Sequence, residues 1–249
     1  MISLVITTCD RPALLLNAIE SALNQKFVTE IVVVNDGRAP LEKLPVNIQL
    51  IHTAGYVGCC GARNLGLEAV SQPYIAYLDD DDSLHPDAFA GAMAAFEGGA
   101  RQLVVSNVDR IENGKCVSVR VPPSTKKGTI WEIDFKALQG GYNFYTKQST
   151  VYETEFLRSI GGWEGRLKSR SQCELFFRIS QQADITGINR PCYRLNRDTS
   201  YDHLTTNKGL RFRSYLFLVT RHFGLWFPRI TGWKWFVRES QQILRLMLK

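Results

Sequence analysis

The chain of 249 residues carries 30 Lys and Arg against 24 Asp and Glu, a formal net charge of +6, and 45% of it is hydrophobic. That apolar content is enough for a full core, as one large domain or a domain with an appendage, and it excludes a disordered chain; no collagen period, heptad or internal repeat is present. The six cysteines, Cys9, Cys59, Cys60, Cys116, Cys173 and Cys192, make no CxxC pair and no metal-ligand spacing, so they read as small apolar residues in a reducing compartment.

The chain opens on Ile2-Ser3-Leu4-Val5-Ile6 without the basic segment and small-residue cleavage site of a signal peptide, which predicts a cytoplasmic protein. Residues 2–7 read as a strand. Residues 12–25 read as a helix, with Pro12 in its first turn and Leu15, Ile19, Ala22 and Leu23 at helical spacing. Strands at 30–34 and 48–52, a helix at 60–70 and a strand at 74–78 follow. This alternation predicts an α/β fold with a mostly parallel sheet flanked by helices. Beyond it come a helix at 86–96, a strand at 102–108, a strand at 150–152 and helices at 155–160 and 173–182. Between them Pro122-Pro123-Ser124-Thr125-Lys126-Lys127-Gly128 reads as a basic, flexible loop suited to a lid.

The strand at 74–78 runs straight into Asp79-Asp80-Asp81-Asp82. Two carboxylates about 4 Å apart repel by roughly 1 kcal/mol in water and by several times that near a protein surface, so a divalent cation is a natural compensation. Ligation by oxygen alone favours Mg²⁺ or Mn²⁺ over Zn²⁺, and such ions commonly complete their shell with substrate phosphates. Alternation along an extended segment would point Asp79 and Asp81 one way and Asp80 and Asp82 the other. The plainer reading is an acidic turn capping the next helix.

Three more clusters fall at the same end of the elements: Thr7-Thr8-Cys9-Asp10-Arg11-Pro12, Asn35-Asp36-Gly37-Arg38, and Gly58-Cys59-Cys60-Gly61-Ala62-Arg63-Asn64. In open α/β sheets ligands bind outside the carboxyl ends of the strands. A nucleoside diphosphate suits these groups: Asp36 can accept an imide hydrogen of uracil and Arg63 can neutralise phosphate. Each also has a local reading, with Asp36-Gly37 as an ordinary turn, the threonines bonded to nearby backbone, and Arg63 paired with Asp10 or Asp36.

Residues 3–12, 30–37, 62–67 and 77–82 together resemble the successive motifs of glycosyltransferase family 2, whose members have the GT-A fold. The resemblance runs over about residues 1–200 and is most specific before residue 90. It implies an inverting, metal-dependent transfer of a sugar from a nucleotide sugar, with UDP as the nucleotide, to an acceptor hydroxyl in the synthesis of a surface polysaccharide or a lipid-linked glycan. It implies that Thr7, Cys9 and Asp36 hold base and ribose within a donor site that includes Asp10 and Arg11. Arg63 then steadies the nucleotide, Asp80 approaches the ribose, and Asp81 with Asp79 ligates Mg²⁺ or Mn²⁺.

In the second half, Gly161-Gly162-Trp163-Glu164 and Glu174-Leu175-Phe176-Phe177-Arg178 look like the family's acceptor-side motif. Trp163 is either a sugar-stacking residue or a core residue. At the position where the family carries the Asp that deprotonates the acceptor stands Gln172, and an amide cannot act as a general base. Glu174 is the nearest carboxylate, although two positions along a helix it faces elsewhere. This departure leaves a second reading open, a nucleotide-sugar-binding subunit with weak or lost catalysis. His203 is a solvated residue or a contributor to the metal shell or a phosphate contact, and the resemblance implies that Asn196 stands where many members of the family carry a His.

Residues 206–249 differ in character from the 1–205 domain. From Arg211 onward, eight Lys and Arg stand against one Glu, interleaved with Phe, Tyr and Trp, and the basic residues interrupt any spanning segment. Arg238, Gln242, Arg245 and Lys249 fall on one helical face, with Phe236, Ile243 and Met247 nearly opposite. This predicts a helical amphipathic extension that lies on an anionic membrane surface, peripherally on the inner face, or else packs on protein. A nucleic-acid partner is not expected, since the chain shows no recognised nucleic-acid module and the acidic rim repels a polyanion.

Overall fold

The computed structural model describes residues 1–41, 44, 45, 47–119, 124–128, 149–196 and 208–228, with positions 233, 236, 237, 240, 241 and 244. Among these, nine strands form one sheet: β1 (Ile2–Thr8), β2 (Val28–Asn35), β3 (Ile48–His52), β4 (Tyr74–Asp79), β5 (Ser83–Leu84), β6 (Leu103–Glu112), β7 (Lys115–Val119), β8 (Thr150–Glu153) and β9 (Thr186–Asn196). The helices are α1 (Pro12–Leu23), α2 (Gly58–Ala69), α3 (Ala90–Glu97), α4 (Thr154–Ser159), α5 (Ser171–Ser180), α6 (Lys208–Arg221) and α7 (Phe223–Trp226).

The sheet order is β3-β2-β1-β4-β8-β6-β9-β5, with β7 paired to β6. β3, β2, β1 and β4 are parallel, as the alternating pattern requires. Beyond β4 the sheet is mixed: β8 runs antiparallel to both β4 and β6, β9 is parallel to β6, β5 pairs antiparallel with β9, and β7 antiparallel with β6. The expectation of a mostly parallel sheet therefore holds for the first half only.

Strict side-chain alternation builds the three layers. Val5, Val32 and Val34 point to one face, where Leu67 of α2, Leu157 of α4, Leu175 and Phe176 of α5 and Leu218 of α6 cover them. Leu4, Ile6, Ile31 and Val33 point to the other, beneath Leu15 and Ile19 of α1 and Ala92 and Met93 of α3. Contact on both faces explains why these central strands read as continuous apolar runs. Gly66 sets how closely α2 lies on β1, because a Cβ there would stand 2.3 Å from Val5 Cγ1.

Strand register brings the site residues together. Thr7 is opposite Asp79, Thr8 opposite Asn35, and Asn35 opposite His52, so the ends of four parallel strands open on one rim.

Within the stretch read as a lid, residues 124–128 are tied to the body. Thr125 bridges Ile185, the Lys127 and Gly128 amides donate to Asp184 Oδ1 at 2.8 Å and the Ser180 carbonyl at 2.7 Å, and Lys126 pairs with Asp184 at 2.8 Å. Pro122 and Pro123 lie outside the described residues, as do His203, Arg238, Gln242, Ile243, Arg245, Met247 and Lys249. None of the six cysteines forms a disulfide.

Candidate active site

Asp36, at the end of β2, is buried and its carboxylate is shared by three donors. Oδ1 accepts from the Thr53 hydroxyl and the Val57 amide, and Oδ2 from the Gly58 amide, all at 2.8 Å. Its position at the start of α2 satisfies amides that the helix leaves unpaired. A carboxylate offers about four acceptor directions, so Oδ2 retains one for a ligand N–H.

Asp10 adopts a left-handed backbone (φ 53°) and ties the β1 loop to the β2 loop. Its Oδ1 accepts from the Arg38 and Ala39 amides at 2.7 Å each and its Oδ2 from the Tyr56 hydroxyl at 2.9 Å, bonds that hold its pKa below the ordinary carboxylate value. Cys9 Sγ sits 3.7 Å from the Asp36 carbonyl, and partial burial, with Asp10 and Asp36 nearby, pushes its thiol pKa up. Cys9 is thus a neutral thiol.

Arg63, on the inward side of α2, is buried. It donates through Nη2 to Asp79 at 3.2 Å, lies over the Trp163 ring at 5.0 Å, and has a buried Nε with no hydrogen-bond partner among the described residues. Burial works against its charge, and Asp79 more than restores it, so the pKa rises. Of the alternatives open in the sequence, Arg63 thus pairs with neither Asp10 nor Asp36.

The four aspartates do not alternate. β4 ends at Asp79, and the Asp82 amide bonds back to the Asp79 carbonyl at 3.2 Å, turning the chain. This turn sends Asp80 inward, where it accepts from Thr8 Oγ1 at 2.7 Å and Arg11 Nε at 3.1 Å and meets Arg11 Nη2 at 2.5 Å. Burial raises the Asp80 pKa to about 6, against the pull of Thr8 and Arg11, with Asp79 and Asp81 adding to the rise.

Asp79, Asp81 and Asp82 are left with carboxylate oxygens all within 4.8 Å of one another. The pairing expected from strand alternation is therefore corrected, with Asp82 joining Asp79 and Asp81. Arg11 Nη1 reaches Asp81 at 3.2 Å, and the Asn196 amide donates to Asp82 at 2.9 Å. An oxygen-only set of this size and charge fits a hard divalent cation.

On the acceptor side, Trp163 is 2% exposed and packs edge-on against Tyr77 at 5.4 Å. It is a core residue and does not offer a face to a sugar; of the two sequence readings, burial selects this one. Asn64 grips its backbone, donating to the Trp163 carbonyl and accepting from its amide at 2.8 Å each.

Gln172 is the second residue of α5, and its Nε2 is buried without a hydrogen-bond partner among the described residues. Glu174 is 0% exposed and enclosed by basic side chains: Arg178 contacts it at 2.7–3.0 Å, and Arg221 and His222 each at 3.3 Å. Burial would raise its pKa, but the bonds from His222 and Arg178 hold it below the ordinary value. Arg178 also bonds the Ile160 and Gly162 carbonyls at 2.5 and 2.7 Å, so Glu174 anchors the turn beneath Trp163.

A mixed α/β sheet with this acidic rim defines a GT-A fold, and the comparisons with known proteins agree. The family profile for glycosyl transferase family 2 matches residues 3–161, and the chain belongs to that family. The succinoglycan biosynthesis protein ExoO of Rhizobium meliloti (strain 1021) is 33% identical over 115 residues, covering 43% of this chain and 33% of that protein. The amylovoran biosynthesis glycosyltransferase AmsB of Erwinia amylovora is 26% identical over 105 residues, covering 36% and 35%. The matched segments thus span about a third of these curated relatives. Residues 1–349 of TarS from S. aureus, in complex with UDP-GlcNAc, share the fold with a TM-score of 0.67 at 13% identity, covering 88% of this chain and 66% of that one.

Proposed function

We propose that the chain transfers a sugar, with inversion, from a UDP-sugar to an acceptor hydroxyl on a surface polysaccharide or lipid-linked glycan at the inner face of the membrane. The observation that supports this most is the meeting of Asp36, Arg63 and the Asp79-Asp81-Asp82 carboxylates on one rim. The relatives named for succinoglycan and amylovoran synthesis, and the like-folded protein in complex with UDP-GlcNAc, point to the same substrate class.

In this reading the remaining acceptor direction of Asp36 takes the uracil imide, with Thr7, Cys9, Asp10 and Arg11 lining the nucleoside side. Arg63, held charged in the interior, faces the diphosphate from the α2 side and is handed from Asp79 to phosphate oxygen as the nucleotide enters. Asp80 is already engaged by Thr8 and Arg11, so it fixes the geometry of the aspartate turn next to the ribose. Asp79, Asp81 and Asp82 would hold Mg²⁺ or Mn²⁺, which supplies positive charge against the departing diphosphate.

Gln172, at the acceptor position that the family resemblance gives α5, orients the attacking hydroxyl by hydrogen bonding, and the hydroxyl's proton passes to solvent water as the bond to the departing diphosphate breaks. Glu174 is spent on Arg178, Arg221 and His222 and does not replace a base. General base catalysis is commonly worth about 10² to 10⁴ in rate. Gln172→Asp is therefore expected to raise turnover about ten-fold or more, read as UDP release from a panel of UDP-sugars with membrane-extracted acceptor and Mn²⁺. An unchanged or lower rate would place proton removal elsewhere. No release by either protein with any UDP-sugar would favour the donor-binding, non-catalytic reading.

A further inference from the structure

Helix α6 has two apolar faces, and one of them is buried in the domain. Ser214, Tyr215, Leu218 and His222 are buried, with Leu218 in the core alongside Phe176 and Phe177 of α5. On the opposite side Phe212 and Leu216 are 37% and 45% exposed, and Phe223 and Phe227 just past the helix are 48% and 47% exposed. A step of four puts Phe212 and Leu216 on one line of α6, and a step of four likewise relates Phe223 and Phe227. The His222 amide still bonds the Leu218 carbonyl at 3.1 Å, and α7 starts directly after His222, whose own backbone leaves the helical region (φ −106°, ψ 20°). Phe223 and Phe227 stack at 4.5 Å, and Trp233 lies 5.6 Å from Phe227, extending one exposed aromatic ridge.

The ridge is bordered by cations. Arg213 is exposed beside it and Lys168 is exposed on the neighbouring turn, while Arg166 and Arg221, 4.8 and 5.7 Å from the Phe217 ring centre, are paired with Glu164 and Glu174. Residues 206–249 contain nine Lys and Arg and a single acidic residue, Glu239. The ridge is held on a rigid base: Ser169 Oγ meets Ser214 Oγ at 3.0 Å, and Arg221 and His222 clasp the buried Glu174.

We infer that this ridge docks on the surface of an anionic lipid bilayer. Exposed aromatic side chains along α6 and α7, with cations at their borders, match an interface in which the apolar groups sink about 5–10 Å to the acyl boundary while the cations meet headgroup phosphates. Charge selects this occupant over a second copy of the chain, since a two-fold contact through the ridge would set the same cationic border against itself. No helix among the described residues is long and apolar enough to cross a membrane, and docking requires none. The inference stands apart from the donor-site reading, because it draws on no residue of that site.

The test is co-sedimentation of the full chain with vesicles of phosphatidylcholine alone or with phosphatidylglycerol, at low and high salt, without nucleotide. Phe212→Ser combined with Leu216→Ser removes apolar groups from the ridge, Arg213→Glu reverses one border charge, and retention of the wild-type melting temperature shows each variant folded. Binding is expected to the phosphatidylglycerol vesicles, weakened by salt, reduced about ten-fold or more in the double variant and several-fold in Arg213→Glu. The inference is overturned if the wild-type chain binds neither vesicle, if the folded double variant binds undiminished, or if the ridge variants abolish a concentration-dependent dimer while vesicle binding is absent. UDP binding measured in parallel tests the donor site separately.

Discussion

Glu174 is the residue whose surroundings settle its role most sharply. A carboxylate that is fully enclosed and met by Arg178, Arg221 and His222 ties α5 to the end of α6. Removing one partner of a buried ion pair typically costs about 3–5 kcal/mol, because the remaining charges stay buried. Glu174→Gln is expected to lower stability by about that much, read as the urea midpoint, and to reduce activity only in step with the folded fraction. Stability within about 1 kcal/mol of wild type, with activity abolished, would instead assign Glu174 to the chemistry.

Glu164, a short distance along the same turn, gives a pH signature. Hydrogen bonds from Arg166 to both of its oxygens at 2.8 Å, aided by the more distant Arg221, hold its pKa at about 2 against an ordinary 4.5. A carboxylate with a depressed folded pKa contributes stability that is complete above about 4.5 and is lost as pH falls toward 2. Since Arg166 is largely exposed, screening limits the effect to about 1 kcal/mol. Glu164→Gln should therefore lower stability at neutral pH by about that amount and flatten the decline between pH 4.5 and pH 2 in acid titrations followed by circular dichroism. A decline as steep as that of the wild type would show that the pair contributes nothing.

At the scale of elements, the sequence was most readable where both faces of a strand are buried. β1, β2 and β4 show as apolar runs because they are covered above and below, and Pro12 and the spacing of Leu15 and Ile19 mark α1. Legibility fell beyond β4 for identifiable reasons. β5 is two residues long, too short to carry a period. β9 pairs with β6 across two register shifts and contains Pro191, a residue that ordinarily argues against a strand. β7 and the far half of β6 form a hairpin whose exposed positions dilute the apolar signal, and its one clear local mark is the hairpin dipeptide Asn113-Gly114 at the turn.

The same reasons apply to the site. Thr7, Cys9, Asp36, Arg63 and the aspartates could be placed because each follows a readable strand or opens a readable helix. Asp82 was assigned to the wrong side because the chain stops being extended at Asp79, and alternation holds only while it is. Glu174 could be set aside by angle alone, but its enclosure by Arg221 and His222 depends on α6, far along the chain, and no local pattern encodes that contact.

For the molecule as a whole, the rim and the ridge are built on opposite logic. The rim gathers negative charge at the ends of the parallel strands and compensates it with Arg11 and Arg63, which a ligand diphosphate can also engage. The ridge gathers positive charge and aromatic surface on α6, whose buried face belongs to the same core as α2 and α5. A chain with a net charge of +6 thus carries its acidic groups where a cation would sit between protein and phosphate.

The central claim is that a divalent cation seats the nucleotide diphosphate on Asp79, Asp81 and Asp82. Calorimetric titration of UDP into the full chain with Mn²⁺ and with EDTA, repeated for Asp81→Asn, tests it most directly. Binding is expected to be at least about ten-fold tighter with Mn²⁺, and Asp81→Asn is expected to erase most of that difference while leaving the metal-free affinity in place. Equal UDP affinity with Mn²⁺ and with EDTA, or a Mn²⁺ enhancement that persists undiminished in Asp81→Asn, would contradict it.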